Sequence, residues 1–147
     1  MSSHSALPVW FVPLLVLGIP IAFVAIWSLV CAIIAGVSGY WSLAGFRIDR
    51  AAADEGESLP PPLFAMIGSA SYRGPILKLR ASPGGLTLRI ARIFLFHPPV
   101  RVPWSRVRED GDQRTFGSSL RLDERVRLTV PGDTFAAIRD ARARYGG

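Results

Sequence analysis

The stretch "ILKLRASPGGLTLRI", Ile76 to Ile90, alternates with a period of two residues. Leu77 and Leu79 fall on one face, with Lys78 and Arg80 on the other. Ser82-Pro83-Gly84-Gly85 then supplies a turn, and the alternation resumes with Leu86, Leu88 and Ile90 against Thr87 and Arg89. Successive side chains of a strand point to opposite faces, so the pattern predicts a β-hairpin with one apolar and one polar face. Strands apolar on one side only cover a core and do not cross a membrane.

Downstream, the alternation returns in Leu120 and Leu122, then in Val126, Leu128 and Val130, with Arg121, Arg125, Arg127 and Thr129 facing away and "DER" as the turn. After Val130 the period changes. "PGDTFAAIRDARARYGG" offers Asp133 as a side-chain acceptor for free helical N–H groups and spaces Phe135, Ile138 and Ala141 or Arg142 three and four apart. This predicts an amphipathic helix over 133–145. Between the two hairpins lies "LFHPPVRVPW", Leu95 to Trp104. Pro98 and Pro99 cannot donate to a ladder, so they are expected to end a strand at Phe96 and to leave Val100 extended. Pro103 fits an edge or bulge that turns Trp104 inward, beside Leu88, Ile90 and Val102.

Upstream, "YWSLAGFRIDRAAADEGESLPPPL" changes character twice. Tyr40 to Ala52 reads as a short interfacial helix with Trp41, Leu43, Ala44 and Phe46 toward lipid and Arg47 and Arg50 opposite. "DEGESLPPP" breaks it, and Pro60, Pro61 and Pro62 favour an extended, stiff spacer. Before that, Val9 to Val37 is 29 residues without a charge, well beyond the roughly 20 needed to cross a hydrocarbon core. Pro13 and Pro20 are tolerable in a lipid-embedded helix, and Trp10, Tyr40 and Trp41 stand at its ends, where amphipathic rings favour the headgroup layer. A cleaved signal peptide would need a basic start and a shorter apolar stretch. In a lipoprotein a small residue would stand where Val30 precedes Cys31. A two-helix hairpin lacks a polar turn near Gly18.

The charges divide the chain in the same place. All 17 basic and 11 acidic side chains lie from Arg47 onward, so the net +6 belongs entirely to the second part. Sixteen of the basic residues are Arg and one is Lys78; a GC-rich coding bias explains that ratio as readily as phosphate binding does. Lys and Arg close to a span stay in the cytoplasm; "MSSHSALP" has none, whereas Arg47 and Arg50 follow closely. The expected organisation is a tail and transmembrane helix with an interfacial segment over 1–46 (span about 12–36), a linker over 47–62, and a β-domain over 63–147. In fold class this is an α+β membrane protein: one N-terminal transmembrane helix, a small antiparallel β-domain and a C-terminal helix.

The run "GGLTLRIARIFLFHPPVRVPWSRV", Gly84 to Val107, resembles small bacterial single-span membrane proteins of unknown function. Shared features are a Gly-Leu strand start, an apolar strand ending in Phe, a His-Pro-Pro break and a β-branched-Pro-Trp-Ser strand. Trp41-Ser42-Leu43-Ala44 is similar to that family's segment before the soluble domain. "PWSRV" resembles the third strand of bacterial pleckstrin-homology-like domains, departing from it at Arg106, where an acidic residue is commoner. The resemblance implies a pleckstrin-homology-like, partly open barrel, and it brings no catalytic residues.

Chemistry-bearing patterns are sparse. Cys31 has no partner for a disulfide, and His4 and His97 without Cys neighbours do not make a zinc site, so no metal or cofactor is expected. Ser105 has no His in a nucleophile pattern, and "EDGD", Glu109 to Asp112, is too short for a calcium loop and reads as a solvated hairpin turn. The expected role is therefore a non-catalytic interaction module, not an enzyme, holding a protein partner or envelope complex at the inner membrane. The alternative is an anionic-lipid or membrane-surface binder, in which Arg73, Lys78, Arg80, Arg89 and Arg92 meet headgroups, each worth about 1 kcal/mol near the surface. An ordinary solvated strand face explains the same cluster, and a ligand role for His97 or Trp104 competes with burial. Nucleic acid is not expected, because the Arg residues lack interleaved exposed aromatics.

Overall fold

The computed structural model describes residues 10–114 and 117–146. The chain is α+β: one N-terminal apolar helix, two antiparallel sheets and a C-terminal helix. Helix α1 (Phe11–Val37) contains Pro20 and is long and apolar enough to cross a membrane. It ends where Gly39 turns left-handed at φ +69°, with Ser38 N–H bonded to Ile34 and Gly39 N–H to Gly36. Only glycine adopts that conformation at little cost.

The strands are β1 (Glu57–Ser58), β2 (Phe64–Ile67), β3 (Ala70–Arg73), β4 (Leu77–Ser82), β5 (Gly85–Ile90), β6 (Val100–Val102), β7 (Val107–Arg114), β8 (Gly117–Leu122) and β9 (Val126–Val130). They form one sheet in the order β1-β4-β5-β6 and another in the order β3-β2-β9-β8-β7. Both expected hairpins are present, with Leu79 opposite Leu88 and Leu120 opposite Leu128. Their apolar faces meet in one core with Ile67, Val100 and Val107. Helix α2 (Gly132–Tyr145) packs on both β4 and β8, bridging the two sheets and burying Thr134, Ile138 and Ala141.

Several boundaries differ from the sequence-based expectation. Tyr40–Phe46 is a 3-10 helix that belongs to the domain, with Tyr40 and Leu43 buried in the core while Trp41 and Ala44 stay exposed. Leu43 therefore faces protein, not lipid. Residues 47–62 form no free spacer: Arg47 bridges Val100, Ile48 N–H bonds to Pro99, β1 pairs with β4, and Leu59 is buried with its N–H on Leu79. The strand expected to run to Phe96 ends at Ile90, and Ala91–Pro99 is irregular. "EDGD" lies inside β7, at a register shift between Asp110 and Gln113. Asp110 is not solvated there, since Arg121 (3.1 Å) and Arg127 (2.8 Å) hold it. The turn joining β7 to β8 contains residues outside those described. Asp133 sits in the first turn of α2, accepting from the Thr134 N–H at 2.8 Å, and Pro131 takes the cap position.

Trp104 is buried, in a 3-10 turn (Trp104–Arg106) that follows β6, with Pro103 ahead of it and outside the ladder. Its indole N–H donates to the Ser82 carbonyl at 2.8 Å. The ring thereby locks the β4–β5 turn to the start of β7.

Candidate functional site

Where α1 meets the domain, three segments far apart in sequence converge. Ser69, in the turn between β2 and β3, donates from its hydroxyl to the Val37 carbonyl at 2.8 Å. Gly68 beside it has φ +58°, and a Cβ there would lie 2.3 Å from the Ser38 oxygen, so only glycine lets this turn abut the helix end. Tyr40 donates to the Pro98 carbonyl at 2.6 Å. Lower on α1, Trp27 Nε1–H donates to the Ile93 carbonyl at 2.9 Å, and Cys31 Sγ lies 3.7 Å from the same oxygen.

Inside this junction sits a buried polar group. Tyr72 Oη and His97 Nε2 are 3.1 Å apart, the rings of Tyr40 and Phe94 pack on the imidazole, and His97 Nδ1 has no partner. Burial lowers the His97 pKa and raises those of Tyr72 and Tyr40, the Tyr72 rise being reduced by its bond with Ser38. Near neutrality the imidazole and both phenols are thus uncharged, as a group removed from water requires. His97 is also remote from nucleophile chemistry: it faces the tyrosines, whereas Ser105 is exposed in the Trp104–Arg106 turn.

The basic face lies beside this junction. Lys78 and Arg89 are cross-strand partners on β4 and β5, and Arg80 stands two residues further along β4, opposite Thr87. Three clefts share Arg89 as a wall. One of about 190 Å³ includes Asp54, Lys78 and Arg80; one of about 200 Å³ includes Lys78 and Arg92; one of about 150 Å³ includes Arg50, Arg92, His97 and Pro99. Lys78, Arg80, Arg89 and Arg92 are therefore brought together, and Arg50 joins them. Arg73 does not join them: it lies on the edge strand β3 of the other sheet, beside a hollow of about 450 Å³ lined by Leu63, Phe64 and Met66.

Two of these cations are partly engaged by the segment expected as linker. Arg89 pairs with Asp54, and Arg80 donates to the Gly56 carbonyl at 2.7 Å. Arg101, not singled out from sequence, performs a similar task, reaching Thr87, the Ala52 carbonyl and Glu55. Lys78 and Arg92 are exposed. Among the described residues no group of three His, Cys, Asp or Glu side chains is placed to hold a metal ion. Comparison with known proteins gives no match, whether to a family model, a curated protein or a solved structure.

Proposed function

We propose that this chain is a single-span inner-membrane protein whose β-domain, on the cytoplasmic side, is a non-catalytic module that engages anionic phospholipid headgroups. The observation that carries this reading is the cleft where Arg50, Arg89 and Arg92 meet His97, one turn of chain away from the contact with α1. A cleft lined by cations at the end of an apolar helix is placed for phosphate groups, and Arg offers them a planar, multiply donating partner. His97 borders the same cleft. The cytoplasmic side follows from Arg47 and Arg50 next to a span preceded by no Lys or Arg. We read the β-domain as pleckstrin-homology-like; the support for this is its order of antiparallel strands followed by one helix.

The test uses the full chain in bilayers mixing zwitterionic and anionic phospholipids, followed by mild extraction and native mass spectrometry of the lipids retained. Enrichment of anionic lipid, lost in an Arg50→Ala/Arg92→Ala double variant, supports the reading. Retention that follows the bulk composition in both proteins rejects it. A C-terminal reporter active only outside the cytoplasm is expected to stay silent.

A second reading has its own observation. Leu63 is 82% exposed at the rim of the hollow that includes Phe64, Met66 and Arg73, an apolar feature on an edge strand that fits a protein partner. Leu63→Asp should abolish such a complex and leave lipid retention unchanged.

A further inference from the structure

The irregular segment after β5 carries Ile93, Leu95 and Phe96 with 58%, 58% and 41% of their surface exposed, while Phe94 between them packs against the rings of Trp27, Tyr72 and His97. Three large apolar side chains side by side on one turn are an unfavourable surface in water and mark a contact with something apolar. Their position along α1 is fixed by the bond from Trp27 to the Ile93 carbonyl. At that level the free faces of the helix are apolar as well: Val24, Ile26 and Leu29 are 58%, 63% and 61% exposed. Whatever medium covers those helix residues reaches the turn.

We infer that the turn Arg92–Phe96 is immersed in the bilayer that α1 crosses, with lipid acyl chains covering Ile93, Leu95 and Phe96. This rests on the reading of α1 as a span. A helix rises about 1.5 Å per residue and a hydrocarbon core is about 30 Å thick, so some 20 residues counted from Phe11 reach Val30. Trp27 lies inside that limit, and so does the turn bonded to it. Lipid favours backbone polar groups that are bonded within the protein, and three groups of the turn are so bonded. The Ile93 carbonyl has the Trp27 indole N–H and the Cys31 thiol directed at it, Phe94 N–H bonds to Ala91 at 3.0 Å, and His97 N–H bonds to Phe94 at 3.2 Å. Arg92 opens the turn, and its long stem can carry the guanidinium up to the phosphate layer, where Arg50 and Arg89 share its cleft. An apolar tip continuous with a bare helix and collared by arginines matches the depth profile of one leaflet.

The experiment places a nitroxide label on Leu95→Cys in a Cys31→Ser background, the serine hydroxyl still able to donate to Ile93. The full chain is reconstituted in phospholipid bilayers, and collision with oxygen, which concentrates in lipid, is compared with collision with a water-soluble nickel chelate. Val16→Cys on the helix and Ser105→Cys, at an exposed position in the Trp104–Arg106 turn, are the references. The expected result is an oxygen-to-nickel ratio at Leu95 several-fold above that at Ser105 and approaching that at Val16. A lipid-like Val16 with a water-like Leu95 overturns the inference while leaving the span intact. A water-like Val16 removes the span and the inference together. Low collision with both reagents at Leu95 means that protein, not lipid, covers the turn, and also overturns it.

Discussion

The two ends of the β-domain are each closed around an aromatic residue, and they are closed differently. Beside the β4–β5 turn, Trp104 is buried with its indole N–H on the Ser82 carbonyl, and α2 packs on both sheets. At the helix end, Tyr40, Tyr72 and His97 form a buried polar group with one nitrogen unpartnered, and the turn beneath them exposes Ile93, Leu95 and Phe96. The first end is finished by the protein alone. The second leaves Arg92, Ile93, Leu95 and Phe96 exposed, the surface that the proposed bilayer contact covers.

The largest expected effect is at the self-contained end. Trp104→Ala removes a large buried ring and leaves the Ser82 carbonyl without its donor, and should lower stability by about 3 to 5 kcal/mol, read by chemical denaturation of the full chain in detergent. An unchanged midpoint would mean that this end is not closed by the ring. At the helix end Tyr72→Phe deprives His97 Nε2 of its partner, so both imidazole nitrogens are buried and unpaired; the cost should be about 1 to 3 kcal/mol in the same assay. A cost as large as that of Trp104→Ala would erase the contrast between the ends.

The smallest effect is a pH dependence. His97 has a folded pKa lowered from 6.5 by burial, so on acidification the unfolded chain takes up the proton first. Its contribution to stability is complete above about 6.5 and is lost as pH falls toward the folded pKa, with a slope of at most about 1.4 kcal/mol per pH unit. Denaturation at stepped pH should show this slope in the parent protein and its reduction in His97→Gln. The Trp104 end has no such group, so Trp104→Ala should keep the slope while lowering the whole curve.

The hairpins were legible because period-two alternation in Leu77–Ile90 and Leu120–Val130 reports a one-sided core directly. The turn Ala91–Phe96 misled for a physical reason: Phe94 and Phe96 keep the phase of Leu88 and Ile90, yet Phe96, with Ile93 and Leu95, faces the outside of the protein and joins no ladder. The docking of 47–62 was hidden because "DEGESLPPP" is locally polar and extended. It is held by Arg80, Arg89 and Arg101, which lie 24 to 49 residues away along the chain. The same distance concealed the cluster at the helix end, where Tyr40 meets Pro98 and Tyr72 meets His97 across 58 and 25 residues. Of the cation cluster, four of the five residues singled out do assemble. Arg50 was missed as a member because it was read as flanking charge.

Whether the domain is seated on α1 or trails from it on a spacer decides where the turn Ala91–Phe96 lies. The chain has four tryptophans, so its indole N–H groups give four signals by nuclear magnetic resonance in lipid discs, and Trp27→Phe identifies one of them. The seated arrangement, with the Trp27 and Phe94 rings 6.3 Å apart and the indole N–H bonded to Ile93, predicts slow solvent exchange of that proton and a nuclear Overhauser contact to the Phe94 ring. A Trp27 indole proton that contacts lipid acyl chains only, with none to Phe94, would contradict it.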